Sequence, residues 1–271
     1  MAAARSARWA ALGVTNVVAV FVLVFALQAI WIHGDASGLQ ANLPFGLPSV
    51  KLPDVTMDLS LVQCAIYSGK DEFASFPYTE IFNNGLVQAA MAADPSTEAA
   101  IEDLRQGLGR IRQLGFVALV LMAVGMVGPA GAFAATTASG DKGARTALPG
   151  ARAAPRWAGP ARLAGAAAML AAAGMLAAGL VQLCFSVVAS ARAVSDSWLK
   201  EMSTKLHLKL EDDVHIALYP RAGSILYLLV AIWSLALGAS LLARAGRRSS
   251  SQTAEESSSE EAASDTEAAA E

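Results

Sequence analysis

Four stretches of the chain, Trp9–Ile32, Leu114–Ala138, Leu163–Ala191 and Ala222–Ala243, contain no Asp, Glu, Lys, Arg or His. Each is long enough, at roughly 33 Å or more as a helix, to cross a hydrocarbon core of about 30 Å. All 20 basic and 23 acidic side chains of the 271 residues fall outside these runs. With 55% apolar and only 16% charged residues, and a mean hydropathy of +0.45, the composition belongs to a membrane chain rather than a soluble one. It excludes a disordered protein, a disulfide scaffold and a soluble enzyme core. Arg5 and Arg8 precede the first run as in a signal peptide. Its apolar stretch exceeds the usual 7 to 15 residues and no A-x-A site follows, so it reads as an uncleaved anchor.

The reading that follows is mainly α: a four-transmembrane-helix bundle with a small antiparallel extracellular sheet built from both outer loops. Its parts are an N-terminus over 1–8, spans over 9–32, 114–138, 163–191 and 222–243, outer loops over 33–113 and 192–221, a basic inner loop over 139–162, and a tail over 244–271. Orientation comes from the short basic stretches: Arg5 and Arg8, then Lys142, Arg145, Arg152, Arg156 and Arg162, then Arg244, Arg247 and Arg248. Such stretches stay on the cytoplasmic side, so both termini are expected there and the long loops outside or in a lumen. The basic loop would also attract anionic lipid. Nothing in the charge pattern resembles a nucleic-acid footprint.

Residues that mark proton relays or ion paths at bilayer depth are missing from the runs, which disfavours a pump. The polar exceptions are Thr15, Asn16, Gln28 and Gln182. Gln28 and Gln182 are placed to share an interhelical hydrogen bond, a contribution of about 0.6 to 2 kcal/mol. Gly128-Pro129 predicts a bend in the second span, because proline removes an amide from the helix ladder. Asn16, Gln28, Gln182 and Pro129 are thus helix-packing residues, or the lining of a path. Gly165, Ala168, Ala172, Gly174, Ala178 and Gly179 let neighbouring backbones approach the third span, which is expected to sit centrally.

In the second outer loop, Lys205–Leu210 and Val214–Tyr219 alternate about Glu211-Asp212-Asp213 and read as a β-hairpin. Its register pairs Leu210 with Val214, Leu208 with Ile216 and Leu206 with Leu218, six aliphatic residues on one face. Such a hairpin needs a partner, which Val55–Val62 and a short strand at Ser49–Leu52 would supply from the first loop. Asp94-Pro95 opens a helix carrying Ile101, Leu104, Leu108 and Ile111 that runs into the second span. The Ser/Ala/Glu-rich tail is expected to be disordered. Ser258 and Ser264 each precede a Glu by three residues, a setting for acid-directed phosphorylation, though a plain solubilising tail has the same composition.

Cys64 and Cys184 match no metal or redox spacing and are expected as unpaired thiols. His207 and His215 would oppose Ala217 and Lys209 rather than each other, and Asp71, Glu72 and Glu80 read as solvated carboxylates. No N-x-[ST] sequon, G-x-S-x-G, H-E-x-x-H or phosphate loop occurs. No enzyme activity, cofactor or metal is therefore expected.

The layout of four spans with a long first and a shorter second outer loop resembles the claudin-like superfamily, which includes claudins, amastins and the fungal Sur seven/PalI family. Leu59-Ser60-Leu61-Val62-Gln63-Cys64 occupies the place of the G-L-W-x-x-C core of claudins, with Cys64 matching. Phe73-Ala74-Ser75-Phe76-Pro77-Tyr78 is similar to the aromatic-proline segment of Sur seven/PalI proteins. So is Gly223-Ser224-Ile225-Leu226-Tyr227 leading into a span that contains Trp233. The resemblance implies a multi-pass plasma-membrane organiser of the eisosome or cell-cortex kind, or an accessory of a pH-sensing receptor. Partners would be the lipid bilayer, other membrane or cell-surface proteins, and further copies of the chain. A channel or transport component for a neutral solute or calcium is the alternative.

Overall fold

The computed structural model describes residues 2–37, 40–41, 50–51, 54–61, 63–77, 88, 95–140, 157–205, 208–209 and 215–244. Apolar, uninterrupted sequence forms helix in each of the four expected places. In chain order these are α1 (Ala2–Gln28), α2 (Pro95–Gly125) continued by α3 (Val127–Gly140), α4 (Ala158–Gln182) continued through a π-helical segment (Leu183–Val187) into α5 (Val188–Lys205), and α6 (Ala222–Arg244). Ala7–Gln28, Glu98–Ala134, Ala158–Val194 and Ala222–Arg244 are each long and apolar enough to cross a membrane.

Two boundaries differ from the sequence reading. The first apolar run does not stay helical to Ile32: α1 stops at Gln28, and a strand starts at Ile30 because Ile30, Trp31 and Ile32 join the sheet. The third run does not end at Ala191 but remains helical to Lys205, so part of the presumed second loop is helix. The helix opening at Pro95 runs into the second span as expected, with the proline at its first position, where a missing amide costs nothing.

The strands are β1 (Ile30–Ser37), β2 (Gln40–Ala41), β3 (Val50–Lys51), β4 (Val55–Ser60), β5 (Gln63–Ser68), β6 (Asp71–Pro77), β7 (Leu208–Lys209) and β8 (His215–Pro220). They make a five-stranded antiparallel sheet in the order β6-β5-β4-β1-β8 and a three-stranded one in the order β3-β2-β7. Segments before α2 and after α5 thus share both sheets. The hairpin is a correction: Leu208 pairs with Ala41, while Ile216 pairs with Ala36 and Leu218 with Gly34. Leu206, Leu210 and Val214 lie outside the described residues. Alternation specifies which face a residue takes, not which strand lies beside it, and β1 begins inside an apparent span.

A turn at Gly69-Lys70 joins β5 to β6. Gly69 has φ +64°, a left-handed conformation that glycine adopts without a Cβ clash, and it stands first of the two turn residues between paired Ser68 and Asp71. β6 forms one edge of the large sheet, with the exposed acids Asp71 and Glu72 at its start, a register shift between its pairings to Tyr67 and Ile66, and Pro77 at its end. β8 forms the other edge and lies against α5.

Contacts divide the chain into two compact units: residues 1–20, 120–173 and 232–271, and residues 21–119 and 174–231. In the first, α4 packs closely on both α2–α3 and α6. A Cβ on Gly165 would collide with Gly128, one on Gly131 would stand 2.9 Å from Ala161 Cβ, and one on Gly238 2.9 Å from Leu170 Cγ. Within this unit Gly165 is the small residue of the third run that lets α4 approach α3, whereas on the α6 side the small residue is Gly238 and its α4 neighbour is Leu170; Gly165, Ala168 and Ala172 are buried. In the second unit Gly179 of α4 is also buried, whereas Gly174 and Ala178 are exposed. There Ile101, Leu108 and Ile111 of α2 are buried, with Leu23 and Leu27 of α1.

Candidate functional site

In the first unit, polar chemistry gathers where the second apolar run breaks. Pro129 has no amide to give Gly125, and its ring crowds that carbonyl, so the helix is disturbed one turn upstream. The helix is interrupted at Met126, whose amide donates to Ala123 O at 3.2 Å. The Met122 carbonyl accepts from Asn16 of α1: its Nδ2 donates at 3.1 Å, while its Oδ1 accepts from Trp233 Nε1 of α6 at 3.4 Å. Asn16 has no exposed surface. One amide thereby fastens three helices and satisfies a carbonyl that hydrocarbon would leave bare. Gly13, one turn earlier, faces Pro129 Cβ. Asn16 and Pro129 belong to one arrangement, and its third member, Trp233, carried no signal as an asparagine partner.

Gln28 and Gln182 do not share a hydrogen bond among the described residues: Gln28 is exposed, and the amide of Gln182 lies at the start of the π-helical segment beside Gly107 of α2. A Cβ on Gly107 would stand 2.7 Å from Val187 Cγ2 and 3.5 Å from Gln182 Nε2. The π turn thus packs directly on the α2 backbone.

The second unit contains the sheet. Trp31 occupies the irregularity between Ile30 and Ile32 in the pairing of β1 with β4. Its indole Nε1 donates to Ala26 O at 2.6 Å, capping a carbonyl in the last turn of α1, and its own carbonyl accepts from Arg221 N at 3.1 Å. Its ring meets Tyr227 of α6 edge-on, with centroids 4.9 Å apart, and Gly223 leaves room for it. Both rings are fully buried. With no more than two residues between α1 and β1 or between β8 and α6, and with β1 paired to β8, the sheet is set firmly on the ends of the first and last long helices.

The two faces of this sheet differ. Ile32, Leu59 and Cys64 take one face and are buried. Burial, and next the charge of Asp58, push the Cys64 thiol up to about 12, so it stays protonated near neutrality. The thiols of Cys64 and Cys184 are unpaired. On the opposite face, register aligns Tyr219, His33 and Asp58 in one row and Asp35, Thr56, Tyr67 and Glu72 in the next. His33 Nδ1 and Asp58 Oδ1 hydrogen-bond at 2.5 Å, and Tyr219 is 54% exposed. Sequence reading missed this polar row, because the first three residues of β1 were counted with the first span and no strand was expected at the start of the outer loop. Its available signal was the alternation of His33 and Asp35 about Gly34. Ser258 and Ser264 lie outside the described residues.

No protein-family model matches the chain, and no curated protein matches it.

Proposed function

We propose that the chain is a non-enzymatic four-span plasma-membrane protein, with both termini cytoplasmic, that organises surface or cortical assemblies by recognising partners through its sheet. The observation that carries this reading is the mounting of the sheet: Trp31 ties it to α1 and α6, and its polar face, with Tyr219 and the His33–Asp58 pair, faces away from the buried Ile32–Leu59–Cys64 layer. A rigid platform of this kind suits recognition, since side chains held by strands are pre-positioned. The interior supports the same reading, because the Asn16 amide is committed to joining helices rather than lining a path.

Fluorescently tagged protein is expected in cortical patches or polarised surface zones, and the double variant His33→Ala with Tyr219→Ala is expected to reach the surface but spread evenly. An endoplasmic-reticulum or mitochondrial pattern, or patches indifferent to the double variant, would overturn the proposal. Solute flux into reconstituted vesicles that is abolished by Gln182→Leu would favour transport instead.

A further inference from the structure

Among the described residues of the first unit, charge is carried by arginine alone: Arg5, Arg8, Arg162 and Arg244, with no aspartate or glutamate. Two of these lie at the ends of apolar spans, Arg8 near the start of Ala7–Gln28 and Arg244 at the end of Ala222–Arg244. The Arg244 guanidinium lies over the Trp9 ring, 4.7 Å from its centroid. Trp9 is only 4% exposed and so gives a fixed floor, while Arg8 and Arg244 are both exposed.

Stacking occupies the flat face of the guanidinium and leaves its N–H groups around the edge for an acceptor. At the border of the hydrocarbon, where water is scarce, the acceptor with matching charge and fork geometry is a phosphate. We infer that Arg244, stacked on Trp9, holds the headgroup phosphate of an anionic glycerophospholipid where the last span meets the membrane surface, and that Arg8, the residue before Trp9, adds a second positive charge at the same end of the helices. This rests on the reading of those helices as membrane spans. The chain itself contains one competing occupant, its acidic tail with Glu255, Glu256, Glu260 and Glu261.

The test uses the full chain in a neutral detergent, with phosphatidylserine, phosphatidylcholine and inorganic phosphate as separate probes and retention read by native mass spectrometry. Two arginines near an anionic headgroup predict roughly thirtyfold tighter retention of phosphatidylserine than of phosphatidylcholine. Arg8→Gln with Arg244→Gln should bring the two lipids close to parity. Arg244→Lys, which keeps the charge and loses the stacked fork, should lower the preference part of the way. If the double variant does not fold, Arg244→Lys alone decides, and an unchanged preference in it overturns the inference. Equal retention of both lipids overturns it too, as does a preference reproduced by phosphate alone or one that emerges only after removal of residues 249–271. Release of the chain from membranes by alkaline carbonate would instead overturn the four-span reading, whereas membrane retention without lipid preference defeats this inference alone.

Discussion

At Asn16 a single amide does what an aliphatic side chain there could not. Beside the break at Met126, Asn16 donates to the Met122 carbonyl from another helix. Asn16→Leu should destabilise the protein by about 0.6 to 2 kcal/mol, measured by unfolding in mixed micelles; a neutral result would mean that the carbonyl finds water. Cys64 gives a second residue-scale expectation. Its folded pKa lies above the ordinary 9.0, at about 12, so folding favours the neutral thiol. That stability is fully present below pH 9 and is lost as pH rises toward 12, at no more than about 1.4 kcal/mol per pH unit. Thermal unfolding between pH 8 and 11 should show a decline that Cys64→Ser flattens, and maleimide should label Cys64 only after denaturation.

At the scale of elements, the four long apolar helices were legible because their cause is local: long uncharged runs satisfy their backbone hydrogen bonds within one segment. An interruption near Gly128-Pro129 was legible too, since Pro129 acts on its own helix. The sheet was legible only in part. Alternation in Val55–Ser60 and His215–Pro220 announced strands, but pairing is decided by distant partners, and β1 began within what hydropathy counted as span. β5 and β6 had a usable signal, the Gly69-Lys70 pair between two alternating segments, which passed unread. The contact of Gly165 with Gly128 was foreshadowed only as a property of the third span; its partner was not. Gly165→Leu would force α4 from α2–α3 in the first unit, and a loss of about 1 to 3 kcal/mol or more is expected by the same micelle assay. Gly174→Leu, on the exposed side, should change little.

For the molecule as a whole, the division into two compact units leads to the expectation that a substitution in one is felt first within that unit. Trp31 belongs to the second, where it caps α1, meets Tyr227 and accepts from Arg221. Trp31→Ala is expected to cost about 3 to 5 kcal/mol there. Hydrogen exchange should quicken in β1, β8 and the start of α6, while amides around Met122 and Met169 in the first unit keep their protection. Equal acceleration in both would show that they unfold together.

The edges of the large sheet have a further consequence. One carries two carboxylates, an irregular step and a terminal proline, and the other lies against α5, so a neighbour has no flat backbone ladder to extend. Addition of a further strand to this sheet is therefore disfavoured at both of its ends. On the proposed role, partners would then be recognised through side chains rather than by an added strand.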